Sequence, residues 1–270
     1  MKAYQDAHNH LQHPALHSHL SEILATVRDL PVRRMVVNGT AEQDWETVAQ
    51  MAKDLPFVIP SFGLHPWYLA RRSKSWEQNL RQYLIQTKGA VGEAGLDLWM
   101  PDADLPLQKT ILRVHFIVAA EFQRPITIHC LQAWSELLDL LPSVPIPACG
   151  FLLHSYSGPV HLVEKFAAFG SYFSFSGYFL NRGKGEKANT FRAVPCERLL
   201  VETDAPDMPL PRERNIFPLP TTRDFSSPNH PANIQAIVNG LADIRKTSEN
   251  ELLRTINRNF RRLFKNVIPR

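Results

Sequence analysis

Short apolar, β-branched runs alternate with helical patterns from one end of the chain to the other. The strand-like runs are KAYQDAHNH, RRMVVNG, FVIPSFGLHP, GAVGEAGLD, RPITIHC, ACGFLLHS, SYFSFSGYF and RLLVETDAP. Between them lie stretches with apolar residues at helical spacing, among them Ala41–Leu55, Trp76–Thr87, Leu107–Phe122, Ala133–Leu141 and Val160–Phe169. Strands that alternate in this way with helix-like or turn segments, to a total of eight, predict a closed parallel (β/α)8 barrel, the TIM barrel of the α/β class. No repeat, low-complexity tract or linker-like shift interrupts the pattern, so residues 1–270 are expected to form a single domain. The irregular region is Asp207–Pro231, rich in proline and arginine. Long loops without regular structure are uncommon and tend to be functional. This one follows the eighth strand and is expected over the barrel mouth.

Polar residues break the apolar runs at particular places. In the first strand Asp6, His8 and His10 are two apart, so their side chains share one face. Three such groups would spoil an ordinary core. The other strands repeat the theme: His65 follows the third, Glu93 belongs to the fourth, His129 to the fifth, His154 to the sixth and Asp204 to the eighth. All are expected at C-terminal strand ends, the rim where barrels of this kind build active sites. Imidazoles and carboxylates converging there suit a centre of two divalent cations. His8, His10 and Asp204 would hold one ion, His129 and His154 the other, with Glu93 between them. A mixed nitrogen and oxygen donor set favours zinc or manganese and admits magnesium. Asp6 is read as an orienting or bracing group.

Composition narrows the class. Of 270 residues, 44% are hydrophobic, enough for a large core, and no apolar run is long enough for a transmembrane helix. With a polar N-terminus that carries the first motif itself, no signal peptide is expected. Three cysteines at unrelated spacings (Cys130, Cys149 and Cys196) fit a reducing cytoplasm and argue against a zinc finger. The net charge of +4 is compatible with a polyanionic substrate. Arg254, Arg258, Arg261, Arg262 and Lys265 are read as the solvated face of a C-terminal helix. No obligatory protein partner is evident.

Competing chemistries are weaker. Ser155 or Ser176 could join a serine triad, but no G-x-S-x-G elbow is present. Cys130 neighbours His129 and so faces the opposite, helix-packed side as an inert thiol. The glycines of GEAGLD lack a phosphate-cradle pattern and are read as letting the backbone bend around Glu93.

In order along the chain, DAHNH, GLHPW, AVGEAGLD, PITIHC, HSYSG and LLVETDAP resemble the TatD family of metal-dependent hydrolases and deoxyribonucleases. The C-terminal NHPANIQAIVNGLADIR and NRNFRRLF look like that family's closing helices. The resemblance implies a TIM barrel with two or three divalent cations, held by His8, His10, Glu93, His129, His154 and Asp204. It also implies a substrate-side role for His65, and activity as a 3′–5′ exonuclease or as a deacylase of mischarged tRNA. The chain departs from the pattern at Leu131, where a basic or polar residue often follows the IH histidine. The loop at Asp207–Pro231 is also longer than usual. Its Arg212, Arg214 and Arg223 either supply phosphate contacts or keep the loop soluble.

The expected activity is phosphodiester hydrolysis from the end of a single-stranded nucleic acid. Water held between the cations attacks phosphorus, Asp204 takes its proton, Glu93 sets the spacing of the ions, and His65 steadies an oxygen or assists the leaving group. Trp67, Trp99, Trp134, Tyr156 and Tyr178 either stack a base or pack the barrel. The alternatives are an ester or amide hydrolase of amidohydrolase type, including an aminoacyl-tRNA deacylase, and a non-catalytic protein that keeps its metal for stability. Many amidohydrolases bridge their metals with a carboxylated lysine, whereas the fourth strand here carries Glu93.

Overall fold

The computed structural model describes residues 2–221 and 227–268. Its strands are β1 (Tyr4–Asn9), β2 (Val32–Asn38), β3 (Val58–Phe62), β4 (Ala90–Asp97), β5 (Ile126–Leu131), β6 (Phe151–Leu153), β7 (Ser171–Ser176) and β8 (Leu199–Glu202). They form one parallel sheet in sequence order, each within a run predicted from the sequence apart from single end residues. The sheet comes round on itself where β8 meets β1: Asp204 N–H donates to His8 O at 3.0 Å, and His10 N–H donates to Ala205 O at 2.8 Å. Both faces of the strands are covered, which is why their apolar runs are nearly continuous.

The helices are α1 (Pro14–His17), α2 (Leu20–Asp29), α3 (Glu42–Asp54), α4 (Trp76–Thr87), α5 (Leu105–Phe122), α6 (Trp134–Leu140), α7 (Val163–Ala168), α8 (Gly185–Ala193), α9 (Ile234–Arg245) and α10 (Glu249–Phe264). The periodic stretches become α3 to α7. The stretch at 160–169 divides into a 3-10 turn, Val160–Leu162, and α7. α10 starts where Ser248 accepts the N–H of Glu251, a cap that satisfies one of the donors left free at a helix start. It buries Leu252, Leu253, Ile256, Phe260, Leu263 and Phe264. Its arginines and Lys265 face solvent, as the charge pattern suggested. Among the described residues no helix is long and apolar enough to cross a membrane.

Among the described residues of the 207–231 loop, those at its start reach the barrel mouth. Asp207 and Met208 line the central cavity. Farther along, Asn233 accepts the N–H groups of Ile216 and Phe217, and Arg214 pairs with Asp243 of α9 at 3.3 Å. Arg214 thus turns its guanidinium to the outer helix. Arg212 lies outside the cavity lining as well, and Arg223 falls outside the described residues.

Candidate metal centre

The site is built around Glu93. It sits in the middle of β4 rather than at its end, where a register shift between Val91 and Ala94 interrupts pairing with β5. Irregularities of this kind re-aim a side chain. The glycines of GEAGLD allow close approach here: Gly92 has φ +116°, and a Cβ on Gly95 would lie 1.9 Å from the His129 carbonyl oxygen. The two carboxylate oxygens of Glu93 face different imidazoles. Oε2 lies 3.5 Å from His8 Nε2 and 3.4 Å from His10 Nε2. Oε1 lies 2.7 Å from His154 Nε2 and 3.1 Å from His129 Nδ1. Asp204 Oδ1 completes the first half, 3.3 Å from His8 and 3.6 Å from His10. The residues expected to form two half-sites sharing one carboxylate thus come together in that arrangement.

Hydrogen bonds outside the cluster decide which ring nitrogen points inward. His10 Nδ1 is 2.8 Å from the Asn38 carbonyl, which fixes Nδ1 as a donor and turns Nε2 to the centre. His129 Nε2 is 2.9 Å from Asp97 Oδ2, which leaves Nδ1 inward. His65 behaves differently: its Nδ1 accepts the Trp67 N–H, so its inward Nε2 carries the proton, 3.6 Å from Glu93 Oε1. Burial pushes the His65 pKa down to about 3. It is a neutral N–H donor beside the cluster, suited to an oxygen rather than to a cation.

Burial works against charge throughout the site, and the carboxylates answer it unevenly. At His10, Glu93 and Asp204 outweigh burial and push the pKa up to about 9. Burial lowers His8, which lies under the repulsion of His154. At His154, Glu93 and Glu202 outweigh burial and hold the ring well above its usual value. Burial raises Asp204, and it raises Asp207 beside it to about 6.

These side chains fit divalent cations. His8 Nε2 and His10 Nε2 face each other at 3.2 Å, as do His129 Nδ1 and His154 Nε2. Facing nitrogens at such a distance cannot both carry a proton, so each pair turns at least one lone pair into a buried place with carboxylate oxygens around it. The groupings His8–His10–Asp204 and His8–Glu93–His154 each bring their donor atoms within 4.8 Å of one another. A buried, multiply charged donor set of this kind calls for cations. One side opens on a cavity of about 1000 Å³.

Three features lay beyond the sequence reading. Asp97, four residues after Glu93 on the same strand, accepts from His129, from Trp67 Nε1 at 2.8 Å and from Trp99 N at 2.8 Å. Glu202, two before Asp204, accepts the N–H and hydroxyl of Ser155 and the hydroxyl of Ser174, and lies 3.5 Å from His154 Nδ1. Even spacing from Glu93 and Asp204 was the available signal for both. The third is a set of cations on the cavity wall, Arg71, Lys184 and Lys187, which no motif marks.

Asp6 turns its carboxylate to Thr203 N–H at 2.9 Å and to the Thr203 hydroxyl, bracing β1 against the turn that presents Asp204. Burial raises its pKa to about 7. Of the aromatic candidates, Tyr156 is fully buried in the core with its hydroxyl on Pro159 O, and Trp134, largely buried, packs on it and also lines the cavity. Trp67 and Trp99 are 45% and 61% exposed and line the cavity, with Tyr178 half-buried there. Burial holds the Cys130 thiol well above its usual range, consistent with an inert group.

A family model described as TatD related DNase matches residues 5–265. The uncharacterized metal-dependent hydrolase YcfH of Escherichia coli (strain K12) is 27% identical over 265 residues, covering 96% of this chain and 94% of that protein. The 3′-5′ ssDNA/RNA exonuclease TatD of Pantoea vagans is 28% identical over 247 residues, covering 90% and 92%. Among solved structures, the TatD homolog YjjV from Escherichia coli K12 superposes with a TM-score of 0.87 at 24% identity, over 97% of this chain and 98% of that one. The Entamoeba histolytica TatD family hydrolase gives 0.84 at 17% identity, with 98% of each chain covered. With the family matched over nearly its whole length and a donor cluster suited to divalent cations at the mouth of the barrel, this chain belongs to the TatD family of metal-dependent hydrolases.

Proposed function

We propose that this chain is a phosphodiesterase that removes nucleotides from the 3′ end of single-stranded nucleic acid. The observation that carries the reading is the shared cavity. The donor cluster opens into a space whose walls also hold exposed indoles and the cations Arg71, Lys184 and Lys187. Aromatic faces and positive charge around one groove suit a ligand of bases and phosphates. The similarity to an exonuclease at 28% identity supports the same class.

His8, His10 and Asp204 would hold one cation and His129 and His154 a second, with Glu93 shared; zinc, manganese and magnesium all accept such donors. When bound, such cations supply Lewis acidity, lowering the pKa of a water and offsetting charge on phosphoryl oxygens. Asp204, which lines the cavity, would accept the water's proton. Glu93 fixes the distance between the two halves of the site. His65, a neutral N–H donor, steadies a non-bridging oxygen or the leaving group. The cations of the wall hold the phosphate chain. Two buried free cysteines and one exposed free cysteine agree with a reducing compartment, the cytoplasm.

A second reading rests on Leu131, an apolar group on the cavity wall near His129. It favours a less charged ester, such as an aminoacyl-tRNA. The test is release of mononucleotides from single-stranded DNA bearing a 3′-hydroxyl, with magnesium, manganese or zinc, comparing the wild type with Asp204→Asn. Asp204 has φ +54°, a conformation asparagine tolerates, so the variant keeps its fold. Stepwise release that falls by roughly 100-fold or more in the variant supports the reading. Absence of release from a metal-loaded wild type refutes it and turns attention to esters.

A further inference from the structure

We propose that Trp67 and Trp99 form a two-sided clamp that takes one nucleobase of the substrate, held in register with the metal centre by Asp97. This deepens the phosphodiesterase reading and rests on it. The two indoles are large apolar groups left open to solvent, 45% and 61% exposed, and they neighbour each other on the wall of the cavity. Their ring centroids are 6.4 Å apart and the planes are 31° from parallel. A planar ring stacked between two others needs two stacking intervals of about 3.4 Å, the rise of one base on the next in DNA. The centroids are slightly closer than that and the planes are tilted, so a ring enters between the indoles only as these exposed side chains swing apart and parallel, an adjustment common at binding surfaces.

The jaws are fixed at their base by one side chain. Asp97 Oδ2 accepts the Trp67 indole N–H at 2.8 Å, and Asp97 Oδ1 accepts the backbone N–H of Trp99 at 2.8 Å. The same Oδ2 accepts His129 Nε2–H at 2.9 Å. The imidazole of His65 stands with its ring centre 5.1 Å from that of Trp67, edge to face, between the clamp and Glu93. A ring seated between the indoles therefore lies at a set distance from the donor cluster. Arg71, Lys184 and Lys187 on the same wall make the ligand an anion as well as a planar ring. A ring joined to a phosphate through a sugar satisfies both demands. Asp97 touches neither ring face nor the reacting atoms, so it is a positioning residue.

The experiment is calorimetric titration of the magnesium-loaded protein with deoxyadenosine 5′-monophosphate and, separately, with 2-deoxyribose 5-phosphate. The wild type binds the nucleotide more tightly than the sugar phosphate. Trp67→Ala and Trp99→Ala each weaken nucleotide binding by roughly 5- to 150-fold while sugar-phosphate binding changes little. Trp67→Phe keeps a stacking face and retains most of the preference, which separates stacking from loss of fold. Equal binding of the two ligands by the wild type, or a base preference that survives both alanine variants, overturns the clamp. The underlying reading fails independently. Base-dependent binding by a protein that releases no nucleotide from single-stranded DNA keeps the clamp and rejects the exonuclease. Nucleotide release with an unchanged KM in both alanine variants does the reverse.

Discussion

Replacing Asp97 with asparagine tests whether groups outside the donor cluster govern it. All three partners of the Asp97 carboxylate are donors: Trp99 N–H on Oδ1, and Trp67 Nε1–H and His129 Nε2–H on Oδ2. The residue is fully buried, so water does not substitute. Asparagine offers one oxygen and one NH2, and neither orientation serves. With the oxygen toward Trp99, the NH2 meets two N–H groups. His129 then relieves the conflict by moving its proton to Nδ1, the nitrogen that faces Glu93, and no longer presents a lone pair there. With the oxygen toward Trp67 and His129, Trp99 loses its acceptor and His129 loses a charged one. Charge-assisted hydrogen bonds are about twice as strong as neutral ones.

Changes of this kind beside a ligand histidine cost 10- to 100-fold in metal affinity or activity, about 1.4 to 2.8 kcal/mol. The assay is competition with a chromophoric chelator for zinc, read beside the nitrogen chemical shifts of the histidine rings. Weaker binding together with an Nδ1-protonated His129 is the expected pair of results. An Asp97→Asn protein with the wild type's zinc affinity and an unchanged His129 tautomer would refute the reasoning.

Chelation should lower the midpoint of thermal unfolding and abolish hydrolysis, because cations bound only by the native state stabilise it by about 2.7 kcal/mol at 100 times Kd; differential scanning calorimetry with and without chelator checks this. Gly95→Ala should destabilise the barrel on the order of 3 kcal/mol or prevent its folding, since the new methyl would lie 1.9 Å from the His129 carbonyl oxygen, measured by urea unfolding. His115 is buried between the Leu64 N–H, which it accepts, and the Ile111 carbonyl, to which it donates, and burial pushes its pKa down to about 4. The unfolded chain therefore binds the extra proton first, and stability falls as pH drops from about 6.5 to about 4, by up to about 3 kcal/mol. His115→Gln should flatten that part of the stability–pH curve, and an unchanged slope would exclude His115 as its source.

The contrast between Asp6, Asp97 and Glu93 shows what a sequence displays and what it hides. Strand periodicity placed His8 and His10 on one face without knowledge of any neighbour, because alternation is a property of a single strand. The barrel followed from the same kind of local information repeated along the chain, and the strands lie where the apolar runs are. Glu93 was assigned to a strand end, yet it lies mid-strand, since the pairing of β4 with β5 shifts locally and no single-strand pattern encodes a shift. Asp97 is further out of reach: beyond its local bond to the Trp99 backbone N–H, its meaning depends on a ring from β5 and an indole from the segment after β3, which meet only after the sheet curls. The two readings of the loop arginines, phosphate contact or solubility, could not be told apart for the same reason. Arg214 finds Asp243 on an outer helix, while the cations that face the cavity, Arg71, Lys184 and Lys187, come from segments with no motif. Donor residues can be read from chemistry and spacing, but the groups that orient them are chosen by contacts between elements. Substrate choice in a barrel is carried by such contacts at the mouth. The clamp at Trp67 and Trp99, and not the donor cluster, is accordingly where this chain's specificity should be sought.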